Sequence, residues 1–149
     1  MSYTFAVCDR CEKVNRVSVG RSEAETPICG NCKAALPIQH GVVSLSGTSL
    51  QHLIDRSPIP IVVDFWAPNC VPCRAFEPEF ERAAAFYSGK IVFGRLNSAE
   101  HFLAAGLYGI RSVPTLILFE AGVEKERKFG AISSQQLMTW LGFEQKAAA

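Results

Sequence analysis

Ile61-Val62-Val63-Asp64-Phe65-Trp66-Ala67-Pro68-Asn69-Cys70-Val71-Pro72-Cys73 is the stretch that decides the fold. Its first six residues form an almost unbroken β-favouring run, the pattern of a strand buried on both faces. Helical spacing takes over just beyond the cysteines, with Phe76, Phe80, Ala83, Ala84 and Tyr87 on one face. The two cysteines therefore open a helix. Pro72 is tolerated in a first turn, where an N–H would be unpaired anyway, whereas Pro78 should interrupt and kink the helix. A helix N-terminus carries a partial positive charge and free N–H groups. Both stabilise a thiolate, the attacking species in disulfide exchange. Cys70 is the candidate nucleophile. Cys73, within the same turn and more buried, is placed to resolve a mixed disulfide. The competing reading is a third metal half-site or two inert thiols, but no fourth C-x-x-C exists to complete such a site.

Upstream, Val42, Val43 and Leu45 suggest a short strand. Thr48 to Gln51 fits the capping box of a helix carrying Leu50, Leu53 and Ile54, which Pro58 and Pro60 end. Downstream, Gly89 closes the dithiol helix, Lys90 to Leu96 reads as a strand and Glu100 to Gly106 as a helix. Thr115 to Phe119 is a strand, turned by Ala121-Gly122 into a hairpin partner, Val123 to Phe129. The mixed charges of Glu124 to Lys128 suit a solvated edge. Ser133 or Ser134 caps a last helix with Leu137, Met138, Trp140 and Leu141, and Lys146 to Ala149 reads as a frayed end. Strands that alternate with helices, followed by a hairpin and a helix, predict an α/β domain: a central mixed sheet with helices on both faces.

The remaining four cysteines stand apart. Cys8/Cys11 and Cys29/Cys32 give C-x2-C-x17-C-x2-C, the spacing of a zinc ribbon. Each C-x-x-C puts two thiolates on one tight turn, and two turns face to face make a closed tetrahedral site, as structural zinc requires. Gly30 and Asn31 favour a compact knuckle. An all-sulfur site also suits iron, and two redox-active disulfides are a further alternative. About forty residues bury little core, so the metal would supply the stability of this unit. Leu36 to Gly41 reads as a connector. The expected division is a ribbon over residues 1–40 and a larger domain over 41–149.

Composition removes other classes. The chain has 149 residues, 48% of them hydrophobic, and a formal charge of +1. It is neither globally disordered nor strongly basic. No apolar run approaches the roughly 20 residues of a membrane helix. The first ten residues lack a basic region followed by an apolar one, so a secretory leader is not expected. Residues 1–45 carry five basic and four acidic side chains. Four thiolates and a zinc dication would make that unit net negative, a poor match to phosphate. His40, His52 and His101 are scattered and none reads as catalytic.

From Val62 to Arg74 and again from Tyr108 to Thr115, with Pro78, Gly122 and Gly130, the sequence resembles the thioredoxin family over about residues 42 to 143. With the ribbon, the whole chain resembles the bacterial thioredoxin 2 family. The resemblance implies a thioredoxin fold and a cytoplasmic thiol-disulfide oxidoreductase that needs no organic cofactor. Its ribbon would hold one structural zinc through Cys8, Cys11, Cys29 and Cys32. It also implies roles for single residues. Cys70 is the nucleophile and Cys73 the resolving thiol. Asp64 is a buried carboxylate behind Cys73. Pro114 is a cis-proline facing the dithiol, Val113 offers backbone groups to an extended substrate, and Trp66 packs beside the site. The residues themselves support the Asp64 assignment, since an acid within an apolar strand has a raised pKa and could take up or return the Cys73 proton. Plainer readings are a satisfied structural acid for Asp64, a trans proline opening a strand for Pro114, and core packing for Trp66.

The departures from the family pattern are Asn69 for a tryptophan, Val71 for a glycine and Arg95 for a lysine. Asn69 removes a flat apolar surface and Val71 adds a branched side chain where a substrate backbone would approach. Arginine stays charged, so Arg95 could hold Asp64 lower than burial alone would leave it. The expected function is reduction of protein disulfides as a monomer, recharged by an NADPH-dependent thioredoxin reductase, with no nucleic-acid or membrane partner. The alternatives are a disulfide oxidase or isomerase, favoured by Asn69 and Val71, and a redox-sensing zinc-ribbon binding protein.

Overall fold

The computed structural model describes residues 3–19 and 26–142; the end expected to fray, Lys146 to Ala149, lies outside them. Strands β1 (Tyr3–Val7) and β2 (Val14–Ser18) form an antiparallel hairpin. Then follow β3 (Ile38–Gln39), β4 (Val42–Leu45), α1 (Gly47–Arg56), β5 (Ile61–Trp66), α2 (Val71–Phe86), β6 (Val92–Asn97), α3 (Phe102–Leu107), β7 (Thr115–Glu120), β8 (Val123–Phe129) and α4 (Ser134–Trp140).

The main sheet has the order β3-β4-β6-β5-β7-β8. β5 sits between a parallel neighbour, β6, and an antiparallel one, β7. That central place is why Ile61 to Phe65 are all buried and why the run has no polar alternation apart from Asp64. Ile61, Val63 and Phe65 face the side covered by α1 and α3, with Leu50, Leu53 and Ala104. Val62 faces the other side, against Phe76 and Phe80 of α2 and Leu137 of α4. Asp64, two residues from Val62 on a strand of period two, faces α2 as well.

Three local details differ from expectation. The stretch expected to be a connector contains β3, which pairs with β4 through a two-residue turn, His40-Gly41, with φ of 52° and 76°. Positive φ at both turn positions matches the twist of the hairpin strands. The capping box of α1 is Ser46 with Ser49, not Thr48 with Gln51. Helix α2 runs as one element through Pro78.

Candidate functional site

The dithiol sits where β5 ends and α2 begins. Cys70 is the N-cap residue of α2, and its Sγ accepts the Cys73 N–H at 3.2 Å. Cys70 and Cys73 are joined as a disulfide with Cα atoms 5.2 Å apart. Cys73 is buried at 1% exposure, whereas Val71, between them, is 76% exposed. One sulfur is thus presented and the other held behind it. The Val113–Pro114 peptide bond is cis, and the Val113 carbonyl lies 3.7 Å from Cys70 Sγ. That loop is held from both sides: Thr115 Oγ1 donates to Ser112 O at 2.7 Å and Gly130 N–H to Pro114 O at 2.9 Å.

Asp64 is fully buried, and neither carboxylate oxygen has a hydrogen-bond partner among the described residues. Burial raises its pKa to about 7, against the opposing charge of Arg95. Arg95 is the cross-strand neighbour of Asp64 on β6, with Nε 3.6 Å from Asp64 Oδ2. Its guanidinium also meets Glu77 at 3.4 Å and covers the Trp66 ring at 4.5 Å. The structure thus brings Asp64, Arg95 and Trp66 into one contact chain, and Cys70 to the Val113–Pro114 loop. Glu77 was not singled out from sequence, although it stands one helical turn beyond Cys73, the spacing that could have found it.

The second cluster is built from two matching turns. Cys8 N–H bonds Lys13 O and Glu12 N–H bonds Cys8 O; Cys29 N–H bonds Ala34 O and Lys33 N–H bonds Cys29 O. In both, the left-handed residue follows the second cysteine: Glu12 with φ 66° and Lys33 with φ 68°. Gly30 instead donates its N–H to Asn15 Oδ1 at 2.9 Å. The four sulfurs lie within 4.8 Å of one another, with Cys8–Cys32 at 3.5 Å and Cys11–Cys29 at 3.6 Å. Metal–sulfur bonds of about 2.3 Å put the corners of a tetrahedron about 3.8 Å apart, so the set can hold a metal ion. The thiols do not ionise alike. The Cys32 backbone N–H pulls Cys29 down to about 6. Cys32, despite the Ala34 N–H, is raised to about 11 by burial and the neighbouring thiols. Four thiolates share this volume only if a cation balances them. Asn15 Nδ2 and the Asn31 N–H both reach Cys29 Sγ, at 3.5 and 3.4 Å, and orient it.

A family model for thioredoxin matches residues 41–142. Over 136 residues the chain is 31% identical to Thioredoxin C-3 of Corynebacterium nephridii, covering 91% of each chain. It is 41% identical over 90 residues to Thioredoxin 1 of Nostoc sp., covering 60% of this chain and 83% of that relative. It is 36% identical over 99 residues to a chloroplastic M-type thioredoxin of Brassica napus, covering 66% of this chain and 56% of the relative. The chain spans about half the length of several chloroplastic relatives that it matches. The six-stranded sheet, the dithiol at a helix N-terminus and the family match over more than half of the sequence agree: the chain belongs to the thioredoxin family.

Proposed function

We propose that the protein is a ribbon-bearing thioredoxin of the thioredoxin 2 kind, which reduces protein disulfides through Cys70 and Cys73. The observation that carries this reading is the half-exposed Cys70 at the α2 N-cap, backed by buried Cys73 and facing the Val113 carbonyl. In the reduced protein the Cys70 thiolate attacks one sulfur of a substrate disulfide. The substrate S–S bond breaks, and the departing thiolate takes a proton from water. Cys73 then gives its proton to Asp64 and attacks Cys70 Sγ. The second substrate thiolate leaves, the Cys70–Cys73 disulfide forms, and two electrons have passed to the substrate. Asp64 suits this proton step because a base with a pKa near 7 both accepts and releases at neutral pH. Val113 and Pro114 offer the backbone edge for an extended substrate, and Trp66 holds Arg95 over the acid.

In this reading residues 1–40 form a ribbon and 41–149 the catalytic domain. The four clustered cysteines hold one structural zinc, which stabilises the ribbon and takes no part in the exchange. An NADPH-dependent thioredoxin reductase returns the two electrons. The protein acts as a cytoplasmic monomer, in keeping with free metal-ligating thiols, which a reducing compartment preserves.

The test is the Cys70/Cys73 equilibrium in a series of thiol–disulfide buffers, read by tryptophan fluorescence. A potential near the thioredoxin value of about −270 mV supports a reductase. One between about −180 and −120 mV would mean that Asn69 and exposed Val71 have turned the scaffold toward oxidation or isomerisation. Metal analysis of the purified protein, with one zinc per chain expected, tests the ribbon.

A further inference from the structure

A groove between β8 and α4 has no part in the exchange chemistry. Lys128, Ile132, Gln135, Gln136, Thr139 and Trp140 line it, and it encloses about 410 Å³. Ligand sites usually occupy about 300–1,000 Å³, so one or two side chains fit. Ile132 and Trp140 are half-buried and rest on the α2–α4 core, which gives the groove an apolar floor. Gln136 uses its side-chain oxygen on the Ser133 N–H, leaving its amide NH2 to donate. Lys128 is the single charged side chain of the wall. It is the register partner of Leu116, a core residue on the α2–α4 side, so it projects to that side too. No carboxylate pairs with it among the described residues.

The β8 wall of the groove is tied to the cis-proline loop beside the dithiol. Phe129, next to Lys128, is the register partner of Thr115, and the Gly130 N–H bonds Pro114 O. Leu116 and its partner Lys128 stand two residues beyond Pro114, or about 7 Å at strand spacing. The groove wall at Lys128 thus stands within the reach of two or three residues of a polypeptide lying against Val113 and Pro114.

We propose that this groove is a subsite for the polypeptide that carries the target disulfide, taking an apolar side chain on Ile132 and Trp140 and an acidic side chain at Lys128. The groove has this role only if Cys70 and Cys73 exchange with substrate disulfides, as proposed above. It makes acidic–apolar segments flanking a cysteine the favoured substrates.

The experiment uses the dithiothreitol-reduced full chain under single-turnover conditions and three symmetrical disulfide-linked peptides. Their sequences read Glu-Leu-Gly-Cys-Gly-Leu-Glu, Lys-Leu-Gly-Cys-Gly-Leu-Lys and Glu-Gly-Gly-Cys-Gly-Gly-Glu from end to end, so either chain direction presents the same groups. The acidic leucine peptide is expected to react roughly three to five times faster than the basic one, the range of a partly exposed ion pair. Lys128→Glu should abolish or invert that ratio, while Lys125→Glu, a charge reversal on the same strand outside the groove, should keep it. Loss of the leucines should slow the unsubstituted protein about threefold. An unchanged ratio in Lys128→Glu, or the same change in Lys125→Glu, would overturn the acidic half of the subsite, and an unchanged rate without leucine the apolar half. Neutral 2-hydroxyethyl disulfide separates the two levels. If the unsubstituted protein fails to reduce it, the dithiol reading falls and the subsite with it. If it is reduced while the peptide ratios stay flat, only the subsite falls.

Discussion

Asp64 is an acid whose folded pKa, about 7, lies well above the roughly 3.9 of an unfolded aspartate. The native state therefore binds its proton more tightly than the unfolded state does. Below about pH 4 both states are protonated and nothing is lost. Between about pH 4 and 7 the unfolded chain binds fewer protons, so stability falls as pH rises, by on the order of 3–4 kcal/mol in all. Asp64→Asn removes that loss. Urea unfolding should find the variant about 2–3 kcal/mol more stable than its parent at pH 8 and no more stable at pH 4; a gain of equal size at both would rule out this linkage. If Asp64 takes the Cys73 proton as proposed, the exchange kinetics of the variant should also lose an inflection near pH 7. Arg95 works in the opposite sense, since its charge lowers the Asp64 pKa. Arg95→Met should move the same inflection up by on the order of one unit. A pH profile is the right readout, because the substitution also uncovers Trp66 and alters stability for that separate reason.

At the scale of elements, the parallel pairing of β4 with β6 depends on one missing side chain. Gly94 lies opposite Val43, and a Cβ placed on it would come within 2.5 Å of Leu45 Cδ1. Gly94→Ala should cost about 1–3 kcal/mol, the usual penalty of overpacking. Adding Leu45→Val should recover part of it in a double-mutant cycle; additive losses would mean that the two side chains do not compete. Some elements were legible because one local signal dominated. β5 announced itself by an unbroken apolar run, α2 by helical spacing, and the dithiol by its place between them. β1 and β2 were not legible, since their buried positions include Thr4 and Asn15 beside Ala6 and Val17, which erases the alternation that marks a strand. β3 is two residues long and exists because β4 lies beside it. The cap of α1 was misplaced by two residues, since Ser46, Thr48 and Ser49 are all competent caps and only the backbone selects Ser46. Asn15 reaching Cys29, and the groove at Lys128, join segments far apart in the chain, which spacing along a sequence cannot reveal.

One buried core runs from the N-terminal hairpin into the main sheet and α1. Ala6, Val7 and Val17 of the hairpin and the buried cysteines Cys8 and Cys29 belong to the same apolar cluster as Leu50, Leu53 and Ile54 of α1. On the surface, Glu12 meets His52 at 3.0 Å and its carbonyl accepts from Arg56 at 3.4 Å. The hairpin contributes mostly small side chains to that cluster, too few to order about forty residues alone. Ion binding at the four cysteines is accordingly expected to be part of its folding energy. Loss of the ion should then spread beyond the ribbon, because an unfolded hairpin uncovers the flank of α1. Stripping the metal with a strong chelator, or Cys29→Ser, should lower the Tm of the whole protein by several degrees, on the scale of 1–2 kcal/mol. Hydrogen exchange should quicken at Leu50 and Leu53 together with β1 and β2. Reduction of 2-hydroxyethyl disulfide at 25 °C should stay within about twofold, since Cys70 and Cys73 are positioned by β5 and α2 on the opposite face of the sheet. If α1 keeps its protection while the hairpin exchanges freely, the ribbon is an independent attachment and the shared core contributes little to stability. If exchange chemistry falls with the metal, the ribbon supports the dithiol through the sheet itself.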